Sequence, residues 1–388
     1  MYRKFRKSIF VFIVLIFVSS NSQAQVDYDF SGYLVDFPIY QHSNKRISDL
    51  LGLKNDQFLN LTRIRLKPTI YFWSGSRLNI EYEISSFYLN SKGNLFVMQP
   101  GKTKTQIVDL TWTPVLEDNI IVSHFIDRLY FRQGFEWGNI EVGRQRISWG
   151  TGRIWNPTDL FNPINPASFY KIEKDGADVI SGEVFLGNFT DINIVFNPQD
   201  KISASNYGFR FRTNMGEFDL SVIGGYFDDR IVAGGDFAGN LFDAGIRGEG
   251  IISAKNGNLN ENFFRYILGL DYQFTPELYS LVEYQFNGEG RSNKSEYELL
   301  RLVKGDILNL SRNYVNITVI YQIHPLLNLS FSNNSNLNDG SGFITFQCNY
   351  SMYENFYLNL GLQSTYGSEF TEYWYYPFSI YLQSEFYF

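Results

Sequence analysis

The sequence has very little of the chemistry that most metal proteins and redox enzymes need. Its 388 residues include one cysteine, Cys348, and three histidines, His42, His124 and His324. A single cysteine excludes an internal disulfide framework and a cysteine-based zinc site. The three histidines are scattered and share no metal-ligand spacing. We therefore expect no metal site and no cofactor.

Long hydrophobic runs are also missing after residue 24, so a membrane-spanning helix of ~20 apolar residues is excluded there. The first 24 residues have a different character. Arg3, Lys4, Arg6 and Lys7 form a basic start, and residues 9–18 are an unbroken apolar run. Small residues, Ser22 and Ala24, then occupy the positions that a signal peptidase reads. This pattern predicts a cleaved secretory signal peptide, 1–24, and a mature chain, 25–388, that begins at Gln25.

Positive charge is scarce relative to negative charge. The formal net charge is −7, and removal of the four basic residues of the predicted signal peptide would make it −11. An acidic balance argues against nucleic acid as a partner. Glycine-rich or proline-rich linkers and internal repeats are not evident, so 25–388 is expected to be a single domain.

Aromatic residues, in contrast, are abundant: the chain has 36 phenylalanines and 27 tyrosines. Transmembrane β-barrels need aromatic residues at both membrane interfaces and an apolar outer band. The chain ends in "PFSIYLQSEFYF", where alternate residues back from Phe388 are almost all apolar. This ending resembles the last strand of bacterial outer-membrane barrels, which the barrel-assembly machinery recognises by its terminal aromatic residue. Phe386 and Phe388 are the expected assembly signal.

Several segments alternate as barrel strands should. In residues 62–72 the apolar positions share one face, while Arg63, Arg65 and Lys67 share the other. A short turn follows, and a hairpin would place Glu81 and Glu83 among these basic residues. Similar alternation recurs at 207–213, 264–272, 278–286 and 356–362. The polar faces predict a charge track in the lumen, and hence a weak anion preference at best. Its members are Arg63, Arg65, Lys67, Glu81, Glu83, Arg128, Arg132, Arg210 and Arg212.

The number of strands follows from the turns, because bacterial barrels have short periplasmic turns and long outer loops. Seven short turns alternate with eight long connections in the sequence. The prediction is an all-β, transmembrane, antiparallel up-and-down β-barrel of about 16 strands (range 14–18) with both termini in the periplasm. Residues 107–114 also alternate, and they are either a hairpin arm above the membrane or half of an extra strand pair. A short helix is expected after Ser295, which has capping-box spacing to Glu298.

One long connection, 149–177, has an unusual composition. It belongs to the stretch "GRQRISWGTGRIWNPTDLFNPINP" at 143–166. Its "GTGR" lacks the Lys-Ser/Thr ending and the following helix of a phosphate-binding loop. Three Asn-Pro pairs favour tight turns over a flexible coil, so the connection is predicted to fold into the barrel mouth as a constriction. The alternative is a loop that covers only the outer rim. Trp149 and Pro163 are expected to hold its shape, and the residues expected to reach the pore are Arg153, Trp155, Asp159, Asn162 and Asn165.

The same residues resemble a family of porin-like outer-membrane barrels that are distantly akin to alginate-export barrels. In that family a Gly-Arg-Gln strand leads into Trp-Gly and then an Asp-x-x-Asn-Pro turn, as in "GRQRISWG" and "PTDLFNPINP" here. The sequence "NDGSG" at 338–342 fits the same group. The resemblance covers about a tenth of the chain. It implies a barrel of 14–18 strands and passive transport, without naming a substrate.

Three functions are compatible with a barrel of this kind. The leading one is a channel for passive diffusion of small polar solutes in the outer membrane of a Gram-negative cell. The second is a structural or secretion-complex subunit. The third, an outer-membrane hydrolase, requires a nucleophile, a histidine and an acid. The adjacent pair Ser123 and His124 would point to opposite faces of a strand, so no enzyme is expected. A plugged active transporter is disfavoured because no separate plug domain remains.

The partners expected from this interpretation are outer-membrane lipids, the barrel-assembly machinery and a small polar solute, and the sequence leaves the oligomeric state open. Cys348 shares its strand face with Ile344, Phe346 and Tyr350. It is therefore predicted to face lipid as an unreactive wall residue.

Overall fold

The computed structural model describes residues 26–51, 54–90, 102–162, 173–255, 261–303 and 307–388. The predicted signal peptide, Pro163 and Asn165 lie outside these residues. Within the described residues, none of the helices has both the length and the apolar character needed to cross a membrane.

Nineteen strands lie in one sheet among the described residues, and all of their pairings are antiparallel. The first ten are Asp27–His42 (β1), Asp56–Tyr71 (β2), Ser76–Leu89 (β3), Thr111–Leu116 (β4), Ile120–Phe135 (β5), Gly138–Gln145 (β6), Ala177–Phe185 (β7), Asp191–Asn197 (β8), Asn206–Met215 (β9) and Phe218–Phe227 (β10). The others are Arg230–Leu241 (β11), Ala244–Lys255 (β12), Phe263–Gln273 (β13), Leu278–Asn287 (β14), Asn313–His324 (β15), Leu327–Asn336 (β16), Gly342–Tyr353 (β17), Phe356–Tyr366 (β18) and Phe378–Tyr387 (β19).

Eighteen of these strands close into a barrel, because each pairs with its neighbours and β19 pairs with β1. Gly32 and Phe388 complete the closure by exchanging two backbone hydrogen bonds of 2.9 and 3.0 Å. Both described ends of the chain therefore lie at one rim, which we call the terminal rim. All connections at this rim are turns of two to five residues. The opposite rim, called the loop rim, carries the longer connections.

The prediction of about 16 strands is wrong by one hairpin. The segment predicted as a single long connection, 228–262, contains β11 and β12. The strand count failed because the turn between β10 and β11 at the loop rim consists only of Asp228 and Asp229, both with positive φ of 49° and 63°. Two left-handed residues in a row are the geometry of a tight hairpin turn. A rule that expects long connections at this rim cannot detect it.

The ambiguous segment 107–114 is not part of the missing pair. Its strand, β4, pairs only with the loop-rim half of β5, from Ile121 to Phe125, while β6 pairs with the other half, from Leu129 to Phe135. The chain just before β4 continues along the wall, where the carbonyl oxygen of Thr105 accepts a hydrogen bond of 3.0 Å from the Asp178 amide of β7. Residues 105–116 therefore complete the wall above the end of β6.

The two faces of the wall differ as the sequence alternation predicts. Outward residues such as Val222, Ile252 and Leu268 are more than half exposed and apolar. Inward residues are charged, polar or buried under the connections that fold into the lumen. Helices are few and short among the described residues: Lys45–Leu51 (α1), Leu299–Val303 (α2) and short 3-10 turns. The second of these lies where a helix is predicted after Ser295.

Candidate functional site

The connection between β6 and β7 enters the lumen. Trp149 and Phe161 pack edge to face with ring centroids 5.3 Å apart. Both rings are buried against inward side chains of strands β7 to β12 in one apolar cluster. We call residues 150–160, which leave and return to this aromatic pair, the tongue. The Trp149–Phe161 pair holds the two ends of the tongue together on the inner wall. The tongue therefore projects into the barrel and does not lie above it as a cover.

Glu249 of β12 fixes the first half of the tongue. One carboxylate oxygen, Oε2, accepts hydrogen bonds from the Thr151 amide at 2.7 Å and the Thr158 hydroxyl at 3.0 Å. These two residues lie on opposite arms of the tongue, so a single buried carboxylate joins both. The backbone at Gly150 has φ of +96°, a conformation that favours glycine.

Glu283 of β14 fixes the tip. Its two carboxylate oxygens accept three consecutive backbone N–H groups: Arg153 at 2.8 Å, Ile154 at 3.1 Å and Trp155 at 2.8 Å. Successive N–H groups that point to one side form a binding site for negative charge. Here a wall carboxylate occupies that site. The Trp149 indole N–H donates to Asn193 of β8 at 3.2 Å. The tongue therefore reaches from β8 to β14, six strands further around the barrel.

The Trp155 side chain extends the contact further around the lumen. It is buried with Ile267 of β13, Tyr314 of β15, Phe343 of β17 and Tyr373 of the β18–β19 connection. The Trp155 and Tyr314 ring centroids are 6.1 Å apart. Apolar burial at the tip and hydrogen bonds along the backbone thus fix the same position.

The structure separates the predicted pore residues into two groups. Arg153 is the exposed one. Trp155, Asp159 and Asn162 are buried, with 3 to 4% of their surface accessible. Asn165 lies outside the described residues. In this arrangement the buried three determine the shape of the connection, and Arg153 is the described candidate that meets solvent.

Asp159 and Asn162 organise the return of the connection to the wall. Asp159 accepts the Asn162 amide at 3.1 Å and pairs with the Lys174 ammonium. Asn162 accepts the Ile147 amide at 2.9 Å and donates to the Asp175 carbonyl. Burial raises the pKa of the Asp159 carboxyl, although Lys174 acts in the opposite direction. Both side chains use their polar atoms to hold backbone.

The predicted charge track faces the lumen but is neutralised. In the β2–β3 register Arg65 lies opposite Glu83, the hairpin pairing that the sequence predicts. Each of the seven basic members has a carboxylate oxygen within 4.0 Å. The pairs are Arg63–Glu83, Arg65–Glu83, Lys67–Glu81, Arg128–Asp127, Arg132–Glu141, Arg210–Asp236 and Arg212–Asp191.

Arg65 is the centre of this network. Besides Glu83 at 2.6 Å, its guanidinium contacts Asp127 at 2.9 Å, Glu81 at 3.0 Å and Glu173 at 2.6 Å. Glu173 belongs to the β6–β7 connection, so the network also ties that connection to β2. Burial raises the pKa of Glu173, but the charges of Arg65 and Lys67 outweigh this effect and lower it overall. Glu81, Asp127 and Glu173 form an acidic cluster, and the Arg65 guanidinium is the positive charge that contacts all three carboxylates.

We expect Arg65→Met to lower the free energy of unfolding by about 3 kcal/mol or more, because buried carboxylates lose their main cation. Urea unfolding in lipid vesicles, followed by tryptophan fluorescence, measures this loss. Arg46→Ala is the matched control, since the Arg46–Glu369 pair is exposed and such pairs contribute about 0–1 kcal/mol. Equal stability of the two variants would contradict a structural role for the Arg65 network.

A second buried carboxyl group supports the tongue tip from the β18–β19 connection. Glu372 accepts the Leu310 amide at 2.9 Å, the Tyr314 hydroxyl at 2.6 Å and the Asn336 amide group at 2.8 Å. Burial raises its pKa to about 7, and the hydrogen bonds from Tyr314 and Leu310 offset this only in part. Glu372 thereby ties the connection that carries Tyr373 to the wall next to Trp155.

This raised pKa makes the 367–377 connection sensitive to pH. Between the ordinary value of 4.5 and about 7, the folded protein holds a proton that the unfolded chain has lost, so folding stability falls as pH rises through this window. Below this window, the contribution of Glu372 is fully present. The protection factors of amides in the connection, which correct for the intrinsic pH dependence of exchange, should be higher at about pH 4 than at about pH 8, two values that bracket the window. The pH-dependent part should vanish in Glu372→Gln and persist in Glu369→Gln, an exposed neighbour; the same profile in both variants would refute the assignment.

The hydrolase candidates do not meet. Ser123 faces inward, 3.1 Å from the Ser85 hydroxyl, because these residues pair in the β3–β5 register. His124 points outward, where its ring lies 2.5 Å from the Tyr82 hydroxyl and stacks on Trp112. A nucleophile and base on opposite faces cannot act together.

The two residues that anchor the tongue were not among the predicted site residues. Glu249 fell in the predicted connection 228–262, so its facing could not be assigned. Glu283 lies in the predicted strand 278–286, on the polar face. The sequence offers one signal for such an anchor, an acidic residue at a central inward position of a strand. That signal does not show which group the carboxylate binds.

No protein-family model and no curated protein matches the chain. Solved structures do match. OccAB1 of Acinetobacter baumannii aligns with a TM-score of 0.57 at 11% identity, over 95% of this chain and 99% of that one. A BenF-like porin from Pseudomonas fluorescens gives 0.56 at 9%, over 93% and 98%. OpdK of Pseudomonas aeruginosa, solved with vanillate, gives 0.55 at 9%, over 93% and 98%. At these identities the likeness establishes a shared barrel fold.

Proposed function

We propose that the protein is a porin-like channel of the outer membrane that lets small polar solutes diffuse passively, with connection 149–177 as its constriction. The observation that carries this proposal is the tongue, which Glu249 and Glu283 hold across the lumen of an 18-strand barrel. A barrel of this size leaves an aqueous channel unless something narrows it. The solved structures that are similar to this chain include a BenF-like porin, and they support the proposal at the level of the fold.

The outer face supports a membrane location. Its central residues are apolar and exposed, and aromatic pairs lie near both rims. Tyr207–Tyr226 and Phe264–Phe286 lie toward the loop rim, while Phe135–Trp137 and Tyr272–Phe274 lie toward the terminal rim. Paired aromatic belts of this kind mark the two membrane interfaces.

The orientation and export route follow from the same proposal. Short turns are periplasmic in bacterial barrels, so the terminal rim and both chain ends face the periplasm. Export would use the signal peptide 1–24. Phe386 lies on the outer face, and Phe388 bonds to Gly32 at the closing seam. The barrel-assembly machinery is proposed to bind these aromatic ends before the barrel closes, and their position at the seam supports this. The relation to alginate-export barrels is part of this proposal.

The test is the conductance of the purified, folded protein in a planar lipid bilayer. We expect stable current steps and a reversal potential near that of a non-selective pore, with weak anion preference at best, because the basic track is paired with carboxylates. Strong cation selectivity would contradict the charge assignment. A stable absence of current would favour the structural or secretion-complex alternative.

Cys348 gives an independent test of the wall. It lies on β17 and faces outward with Phe346 and Tyr350. Its sequence neighbour Gln347 faces the lumen. We expect a charged, membrane-impermeant thiol reagent to leave Cys348 unmodified in the folded barrel, because a charged reagent does not enter the hydrocarbon that this face would meet. Gln347→Cys in a Cys348→Ser background is the control, and it should react through the lumen. Fast labelling of Cys348 together with unreactive Cys at 347 would reverse the assigned faces.

A further inference from the structure

The lumen wall has two chemically different parts. Inward positions on β2 to β14 carry the paired charges described above. The next four strands, β15 to β18, contain no aspartate, glutamate, lysine or arginine at all. Their inward side chains are mostly amides and hydroxyls, with a few aromatic residues and one isoleucine, Ile320, beside Ser330. We call the inward face of β15 to β18 the neutral wall.

The strand register arranges the neutral wall in rows. Thr318, Ser332 and Thr345 lie side by side on successive strands. Two residues further toward the terminal rim, Ser330 lies beside Gln347. The next row joins Asn349 to Asn359. Each of these side chains is an amide or a hydroxyl, and each is only partly buried. The wall therefore offers rows of neutral hydrogen-bonding groups to the lumen.

These groups have capacity beyond their contacts within the wall. Thr318 and Ser332 lie 3.0 Å apart, Ser330 donates to Gln347 at 3.2 Å, and Gln347 donates to the Tyr381 hydroxyl at 2.7 Å. A carboxamide has two donor hydrogens and two acceptor lone pairs, and a hydroxyl can do both. Each row can thus both donate to and accept from a passing solute.

We propose that the neutral wall is a binding track for uncharged polyhydroxylated solutes, that is, sugars and sugar alcohols. Hydroxyl groups are donors and acceptors at once, and they match alternating amides and hydroxyls. An ion passing along this wall would lose hydration without meeting an opposite charge. On the other side, the carboxylates already neutralise the basic residues. This inference rests on the proposed channel function and specifies its substrate class.

Three solutes of nearly equal size separate the possibilities in a liposome-swelling assay: glucose, anionic glucuronate and cationic glucosamine. We expect glucose to enter at least about threefold faster than either charged solute, since an unmatched polar or charged group is penalised in a site built for hydrogen bonds. Asn349→Asp should remove most of this preference and favour glucosamine. Asn79→Asp makes the same chemical change on β3, among the strands that carry the paired charges, and should preserve the preference.

The outcomes distinguish this inference from the channel proposal. Potassium chloride current with equal entry of all three solutes, or with fastest entry of glucuronate, would overturn the neutral track while leaving the channel intact. Fastest glucuronate entry would point to the exposed Arg153 as the selective group. A folded barrel that passes neither current nor any solute would overturn both. Folding of each variant is checked by its heat-modifiable mobility in gels.

Discussion

Replacement of tongue residues 150–160 by a short Gly-Ser link is expected to raise the single-channel conductance at least about twofold, because a wide barrel conducts freely when nothing narrows it. The design follows from the base of the tongue. The Trp149 and Phe161 rings pack against each other, so the link keeps both residues and thereby the apolar cluster that they complete on the wall. Planar-bilayer recording of the folded variant measures the effect.

Shortening of a different connection at the same rim provides the control. Residues 200–204, between β8 and β9, are all exposed. The adjacent Ser205 is buried and is kept. Their removal should leave the conductance at the parent value. If the tongue variant folds and also conducts as the parent does, the connection is an outer cover and the constriction is elsewhere.

Glu283→Ala is expected to detach the tip of the tongue and to produce a noisier, larger single-channel current. The substitution removes the acceptor for three consecutive backbone N–H groups. Each buried donor left without a partner costs about 1–3 kcal/mol, which is comparable to the apolar contribution that burial of a residue such as Trp155 can make. Glu283→Gln keeps acceptor oxygen and should show a smaller change.

Glu277→Ala is the matched control for this position. Glu277 lies in the turn that precedes the same strand, is exposed, and bonds only to Thr275 among the contacts of its side chain described here. It should leave the current trace unchanged. A Glu283→Ala trace indistinguishable from that of Glu277→Ala would mean that the wall carboxylate does not hold the tongue.

Strand periodicity made most of the barrel predictable. Strands with alternating residues, such as β2 and β3, were recognisable from Arg63, Arg65 and Lys67 opposite their apolar neighbours, and the β2–β3 register placed Glu83 beside Arg65 as expected. The pair β11–β12 was missed because Gly234, Gly235 and their neighbours weaken the apolar alternation, and because the Asp228–Asp229 turn is too short for the rim on which it lies. Local turn geometry, and not hydrophobic pattern, determines that part of the fold.

The site was predictable only as a segment. Its length and Asn-Pro turns indicated an ordered connection, and the structure folds the described residues 149–162 against the inner wall. Which of its residues are buried could not be deduced, because Trp155 and Asp159 find partners on strands more than 100 residues away or across the connection itself. Glu249 and Glu283 show the same limit: a carboxylate facing the lumen can bind solvent, a basic side chain or backbone, and only tertiary structure selects among these.

If the tongue carries Arg153 into the conducting path, chemical modification at this position should block current. The experiment uses Arg153→Cys in a Cys348→Ser background, recorded as a single channel while a charged methanethiosulfonate reagent is added. We expect a discrete, stepwise fall in current as the new thiol is modified, because added bulk and charge then lie in the constriction. Complete modification, verified by intact mass, without any change in current would contradict it.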